Sequence, residues 1–135
     1  MNVDDLIQNF SGDIKTDKLH LSIYATDASV YQKLPLAVAI PETIDDLKEL
    51  VKFASKNNTS LIPRAAGTSL AGQCVGSGIV VDISQFFTEI LKIDQKQKTV
   101  VVQPGVIRDE LNLTLKPYSL FFGPRSEERR VGKEC

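Results

Sequence analysis

The stretch Arg64-Ala-Ala-Gly-Thr-Ser-Leu-Ala-Gly-Gln73 opens a loop that continues to Gly78 and holds four of the chain's eight glycines. Glycine backbone can adopt positive φ, and it lets successive N–H groups converge on an anion without a Cβ in the way. Thr68 and Ser69 add hydroxyl donors, and Arg64 adds a permanent cation. This donor set suits a diphosphate. A glycine-rich surface loop without a ligand is the alternative.

Two common phosphate motifs fit the loop poorly. Gly67 and Gly72 have the spacing of a P-loop, but Gln73 and Cys74 stand where that motif needs a lysine and a hydroxyl. A dinucleotide fingerprint follows the first strand of its domain and leads into a helix. Here the loop follows the second predicted strand and leads into another strand, which argues against the usual Rossmann arrangement.

The segments around the loop predict an α+β fold with a small mixed sheet and flanking helices. Apolar runs bounded by proline or glycine predict strands, and the 3.6-residue apolar period predicts helices. A strand–helix–strand unit normally produces two parallel strands, and the later strand pair around a polar turn predicts a hairpin. The predicted elements are strands at Leu36–Ile40, Leu61-Ile62 (closed by Pro63), Ile79–Ile83, Glu89–Asp94 and Thr99–Gln103, and helices at Val3–Phe10, Thr43–Lys56 and Val106–Leu115 (ended by Pro117), with an irregular segment at Ser22–Tyr31.

The helix at Thr43–Lys56 carries the clearest local signals. Thr43 and Asp46 have the spacing of a capping box, and Asn57-Asn58 can adopt the left-handed conformation that ends a helix. The predicted apolar face consists of Ile44, Leu47, Val51 and Ala54, with Leu50 beside them.

Composition excludes several classes of function. The 135 residues carry 16 Lys and Arg against 17 Asp and Glu, so there is no basic excess for nucleic-acid binding. The longest apolar run, Leu34–Ile40, is interrupted by Pro35, so we expect no membrane-spanning segment. One histidine and two cysteines support neither a Ser–His–Asp triad nor a metal centre. Asp4 and Asp5 stand where a secretory signal carries basic residues, which predicts a cytoplasmic protein.

The last eleven residues, Arg125–Cys135, carry seven charges and differ in composition from the apolar stretch before them. They resemble the translation of a widely used sequencing adapter. We therefore expect the natural part of this sequence to be Met1–Pro124 and to be the N-terminal fragment of a longer protein. The predicted organisation is an N-terminal helix and lead-in at 1–22, a partial domain at 23–124 and a non-native tail at 125–135.

Six segments, in chain order, resemble one flavoprotein family. Pro63–Gly72 resembles the pyrophosphate loop of the flavin-dependent oxidases that include vanillyl-alcohol oxidase and p-cresol methylhydroxylase (the PCMH type). Tyr24–Tyr31 resembles the segment before the first strand in the D-lactate dehydrogenase and glycolate oxidase subunit branch. The other matching segments are Pro35–Lys56, Gly78–Asp82, Val100–Gly105 and Phe121–Pro124.

The resemblance implies that residues 23–124 are a partial FAD-binding domain and that the glycine-rich loop is its site for FAD. Family members often have two glycines where Ala65 and Ala66 stand, so backbone approach is slightly restricted here. Some members bond the flavin covalently through a histidine at the position of Thr68. Because threonine cannot form that bond, the resemblance implies that FAD is held non-covalently and can dissociate from this chain. By the resemblance, Gln73 lies near the flavin, and the diphosphate is wrapped by Arg64, Ala65, Ala66, Gly67, Thr68 and Ser69.

The implied parent oxidises a small 2-hydroxy acid of the D-lactate or glycolate type. It passes electrons to a membrane quinone, a cytochrome or an iron–sulfur partner, and delivery to a quinone implies a location peripheral to the membrane. Substrate-binding and catalytic residues follow Pro124 in the family, as would any iron–sulfur cluster, so the catalytic residues are unknown and none is assigned. The alternatives are a non-catalytic phosphate- or nucleotide-binding module and an inactive truncated fragment.

Overall fold

The computed structural model describes residues 10–123. The helix predicted at Val3–Phe10, apart from Phe10 itself, and the tail at Arg125–Cys135 lie outside the described residues. In chain order the elements are β1 (Asp13–Lys15), α1 (Lys18–Ile23), β2 (Ala37–Ile40), α2 (Ile44–Lys56), β3 (Leu61–Arg64), β4 (Ile79–Asp82), β5 (Ile90–Asp94), β6 (Thr99–Val102), α3 (Arg108–Leu115) and a 3-10 helix (Lys116–Tyr118).

Four strands form a mixed sheet in the order β1-β2-β4-β3. β2, β4 and β3 are parallel, and β1 pairs antiparallel with β2. The parallel strands arise from the predicted strand–helix–strand unit, with β4 placed between β2 and β3. The predicted α+β class with a mixed sheet and flanking helices is confirmed.

The core lies between this sheet and α2. Alternate residues of each strand point to one face, and there they pack against the helix. The buried cluster consists of Ala37, Ala39, Leu50, Phe53, Ile79 and Val81. Val38, Val80 and Asp82 point to the opposite face, which is also buried.

The predicted apolar face of α2 was rotated from the observed one. Ile44 and Val51 are 64% and 59% exposed, whereas Leu50, Phe53 and Ala54 are buried. The discrepancy arises at Asp46, which lies on the core side with only 1% exposure. A carboxylate would normally mark the solvated face, so the apolar pattern alone included Ile44 and Val51 and left out Asp46 and Phe53. The predicted residues Leu47, Leu50 and Ala54 do pack toward the core.

Asp46 completes the predicted capping box. Thr43 Oγ1 accepts from Asp46 N at 3.1 Å, and Asp46 Oδ2 accepts from Thr43 N and Glu42 N, each at 2.9 Å. Its other oxygen accepts from Ser11 N at 2.8 Å, which ties the segment before β1 to the helix. Burial acts to raise the pKa of this carboxyl, but the backbone donors Ser11, Thr43 and Glu42 outweigh it and lower the pKa.

Two predicted boundaries, the end of β3 and the start of α3, differ from the observed ones by two residues, and those of the other predicted strands and helices within the described residues agree within one residue. β3 runs through Pro63 to Arg64. Among the described residues, β3 forms one edge of the four-stranded sheet. Ile79 N donates to Ser60 O and Ile83 N donates to Arg64 O, so the nitrogen of Pro63 faces the open edge, where no N–H donor is needed. α3 begins at Arg108, and Pro117 lies within a following 3-10 helix.

β1 and α1 had not been predicted. β1 has only three residues, too few to show an alternating pattern. α1 is capped by Asp17, whose side chain accepts from His20 N, and it extends into the segment that was predicted to be irregular.

The predicted hairpin of β5 and β6 is confirmed, and it forms a separate two-stranded sheet. Gly105 follows it closely packed, since a Cβ there would lie 2.6 Å from Ile83 O. No helix within residues 10–123 is both long enough and apolar enough to cross a membrane.

Candidate functional site

The glycine-rich loop leaves the carboxyl end of β3 and returns to the amino end of β4. In open parallel sheets, ligands bind beyond the carboxyl ends of the strands. Arg64 and Asp82 are paired in register at those ends, so their side chains project from the same face of the sheet. That face is opposite α2, and the loop and the segment 24–31 lie over it.

Arg64 reaches back over the start of the loop. Its Nη1 donates to the carbonyl oxygen of Thr26 at 2.5 Å, and its guanidinium carbon lies 5.1 Å from the centroid of the Tyr24 ring. A Cβ at Gly67 would lie 2.6 Å from Arg64 Nη2. The guanidinium is therefore held close to both the aromatic ring and the loop backbone.

The first part of the loop carries a series of backbone N–H donors. Gly67 has φ +66°, a left-handed conformation that glycine adopts without strain. Within residues 10–123, the backbone N–H groups of 65–70 donate no hydrogen bond to the chain. A run of amides with no partner of their own, beside a guanidinium, has the chemistry of an anion site.

The structure brings Ser69 and Gln73 together. Ser69 Oγ accepts from Ala71 N at 3.2 Å and from Gln73 N at 3.1 Å, and it lies 3.3 Å from Gln73 Oε1. The hydroxyl of Ser69 thus shapes the turn that ends at Gly72, which has φ +71°. Thr68 is exposed, so its hydroxyl is the one available to a ligand.

Next to Arg64, Tyr24 and Asp82 form a contact that had not been predicted. Tyr24 OH donates to Asp82 Oδ2 at 2.5 Å. Asp82 is 5% exposed, and its Oδ1 accepts from Ser84 N at 2.8 Å and from Ser84 Oγ at 2.6 Å. Burial, together with the adjacent Asp82 carboxylate, raises the pKa of Tyr24 to about 12.

The segment 24–31 also holds the rest of the loop. Asp27 Oδ2 accepts from Cys74 N at 3.4 Å, and Ala28 N donates to Gly67 O at 3.1 Å. At Gly72, a Cβ would lie 2.7 Å from the ring of Tyr31. Hydrogen bonds to Ser29, opposed by burial, lower the pKa of Asp27, which favours the charged acceptor.

The seven residues predicted for the site lie close together in the chain: Arg64 ends β3, and the loop that follows holds Ala65, Ala66, Gly67, Thr68, Ser69 and Gln73. Their contact with a cofactor stays a prediction. Residue-by-residue reasoning missed Tyr24 and Asp82. The available signal was an acidic residue ending the buried strand Ile79–Asp82, since a buried carboxylate needs a donor.

A second concave surface lies away from the loop. This open depression of about 590 Å³ borders α3 and the 3-10 helix. Its lining residues are Asp109, Asn112, Leu113, Lys116, Ser119, Leu120 and Phe121. Among the described residues, no group of three or more His, Cys, Asp or Glu side chains is placed to hold a metal ion.

The fold is that of PCMH-type flavoproteins. The structure of p-cresol methylhydroxylase with bound substrate superimposes with a TM-score of 0.71 at 16% sequence identity, covering 87% of this chain and 25% of that one. A family model described as an FAD binding domain matches residues 35–132. The chain belongs to this family of FAD-binding domains.

Two curated relatives are similar to most of this chain. It is 43% identical over 126 residues to D-2-hydroxyglutarate dehydrogenase of Haemophilus influenzae, covering 90% of this chain and 12% of that protein. It is 31% identical over 111 residues to glycolate oxidase subunit GlcD of Bacillus subtilis, covering 81% of this chain and 24% of that protein. The chain therefore spans a small part of the length of these relatives.

The residues present fit FAD, the cofactor of this family. The site offers donors, as a diphosphate requires: the amides of 65–70, which have no hydrogen-bond partner within residues 10–123, the hydroxyl of Thr68 and the guanidinium of Arg64.

Proposed function

We propose that this chain forms part of the FAD-binding domain of a longer dehydrogenase that oxidises a small 2-hydroxy acid. In this proposal the loop at 64–73 holds the diphosphate of FAD. The observation that carries it is the run of amide donors at 65–70 without partners in the described chain, placed beside the guanidinium of Arg64.

Each loop residue has a separate role in this proposal. Arg64 supplies a charge-assisted donor, and Ala65, Ala66 and Gly67 supply backbone amides with little side-chain obstruction. Thr68 supplies a hydroxyl, whereas Ser69 holds the turn in shape and also offers its amide. Gln73, bonded to Ser69, lies on the side of the loop that we assign to the flavin.

FAD, when bound, supplies the two-electron acceptor for oxidation of the hydroxy acid. Thr68 replaces the histidine that carries a covalent flavin link in some family members, so we propose that FAD is held without a covalent bond. The substrate class is supported by relatives named for D-2-hydroxyglutarate and glycolate. The substrate-binding and catalytic residues belong to the remainder of the longer protein, which we place in the cytoplasm or at the membrane periphery.

The test is purification of the longer protein, obtained by extending the open reading frame in its source DNA. We expect a flavin absorbance spectrum, release of FAD by acid precipitation, and anaerobic bleaching of the flavin by D-lactate, glycolate or D-2-hydroxyglutarate. A protein that binds nucleotides but is never bleached by a 2-hydroxy acid would instead be a binding module. A protein purified without flavin that does not take up added FAD would contradict the proposal.

A further inference from the structure

We propose that Tyr24 and Asp82 are positioning residues that hold the Arg64 guanidinium in place for the diphosphate before FAD arrives. The inference rests on the proposed function of the loop. It concerns two side chains that neither lie in the loop nor offer a donor to it.

The support begins at Asp82, the last residue of β4. This carboxylate is buried, and its two oxygens accept three hydrogen bonds, from Tyr24 OH and from the amide and hydroxyl of Ser84. A buried carboxylate bonded in this way has little freedom to rotate. Asp82 therefore fixes the phenol end of Tyr24.

The fixed ring in turn supports Arg64. The guanidinium lies 5.1 Å from the ring centroid, within the range of a cation–π interaction. One further bond, from Nη1 to Thr26 O, sets the rotation of the guanidinium plane. The arginine side chain has five N–H donors, and the bond to Thr26 O is the one hydrogen bond that the Arg64 guanidinium makes within the described residues. Most of its donors remain available for phosphate oxygens.

Holding the side chain in advance has an energetic consequence. A free arginine loses rotamer freedom when it binds a ligand, and that loss weakens binding. An arginine already placed against Tyr24 and Gly67 loses less. Replacing Tyr24 with an aliphatic residue should therefore weaken FAD binding through Arg64, although every loop donor is still present.

A double-mutant cycle on the longer flavoprotein tests this mechanism, with FAD affinity of the apoprotein measured by flavin fluorescence quenching. Tyr24→Leu should weaken FAD binding about threefold to thirtyfold when Arg64 is present, the range of one cation–π contact. In an Arg64→Met background the same substitution should change the affinity less than about twofold, because the residue it positions is gone. Tyr118→Leu, on the 3-10 helix, is the matched control and should leave the affinity unchanged in both backgrounds.

Equal losses from Tyr24→Leu in the two backgrounds would overturn the inference, because they would show that Tyr24 supports the fold in general. If Tyr24→Leu does not fold, Tyr24→Phe replaces it in the cycle. That variant keeps the ring but removes its hydrogen bond to Asp82. It should lower FAD affinity about twofold to fivefold with Arg64 present and leave it unchanged in the Arg64→Met background. Failure of the unsubstituted protein to bind FAD would refute the proposed function, and this inference with it, whereas normal FAD binding without coupling refutes the inference alone.

Discussion

Tyr24 and Asp82 lie 58 positions apart in the sequence and share a 2.5 Å hydrogen bond on the loop face of the sheet. This contact joins the segment before the first parallel strand to the end of β4. It also places the Tyr24 ring under Arg64, the first residue of the proposed diphosphate loop. The loop is thus built on a support formed by residues distant from it in the chain.

The Tyr24 phenol should ionise late. Its pKa of about 12 lies above the ordinary value of about 10, so the neutral form contributes stability that is complete below pH about 10. That contribution should be lost as the pH rises from about 10 to about 12. The difference in tyrosinate absorbance between the unsubstituted protein and Tyr24→Phe isolates this group. If the tyrosinate absorbance that is missing in Tyr24→Phe titrates near pH 10, the result would contradict the buried contact with Asp82.

Asp46 should contribute to stability well beyond an ordinary surface carboxylate. Asp46→Asn replaces an acceptor of backbone N–H groups with a side chain that presents its own donor, and we expect a loss of about 1–3 kcal/mol in unfolding free energy. Asp45→Asn is the matched control, since Asp45 lies one position away and makes an exposed ion pair with Lys48, and it should cost under about 0.5 kcal/mol. Denaturant unfolding at neutral pH measures both.

The Asp46 effect should also depend on pH. Because the folded-state pKa is lowered, the stabilisation is complete above the ordinary value of about 3.9 and is lost as the pH falls through the folded-state value. The difference in unfolding free energy between the unsubstituted protein and Asp46→Asn should therefore become smaller in acid. A difference that stays constant below pH about 3 would show that the Asp46 charge is not involved.

Gly67 should be more sensitive to substitution than Gly76, which lies later in the same loop. Gly67→Ala forces a side chain into the left-handed region, which costs about 1–2 kcal/mol, and pushes its Cβ toward the Arg64 guanidinium. We expect FAD affinity to fall about tenfold or more. Gly76→Ala is the control, because its Cβ would meet only the flexible end of Ile62. Similar affinities for the two variants would argue against a role for the Gly67 conformation.

Local signals in the sequence were sufficient for much of the fold. The capping box at Thr43 and Asp46, the strand–helix–strand unit and the hairpin are each determined by residues close together in the chain. Such features depend on spacing and propensity, so they can be predicted without knowledge of the tertiary contacts.

The remaining features depend on contacts between distant residues. β1 exists because Asp13–Lys15 can pair with β2, and Pro63 is tolerated because β3 is an edge strand. The buried side of α2 was predicted only in part, because the hydrogen bonds that make Asp46 an interior residue include one from Ser11, 35 positions away. Likewise, the loop donors were predictable from composition, but Tyr24 and Asp82 were not.

The central claim is that the loop at 64–73 holds the diphosphate of FAD, and the FAD affinity of the apoprotein carrying Arg64→Met tests it most directly. Loss of a charge-assisted hydrogen bond of about 1.5–3 kcal/mol predicts binding weakened about tenfold to a hundredfold. Arg108→Met, which removes an arginine of α3 paired with Asp109, should leave the affinity within about twofold. Unchanged FAD affinity in Arg64→Met, in a protein that otherwise binds FAD, would contradict the account.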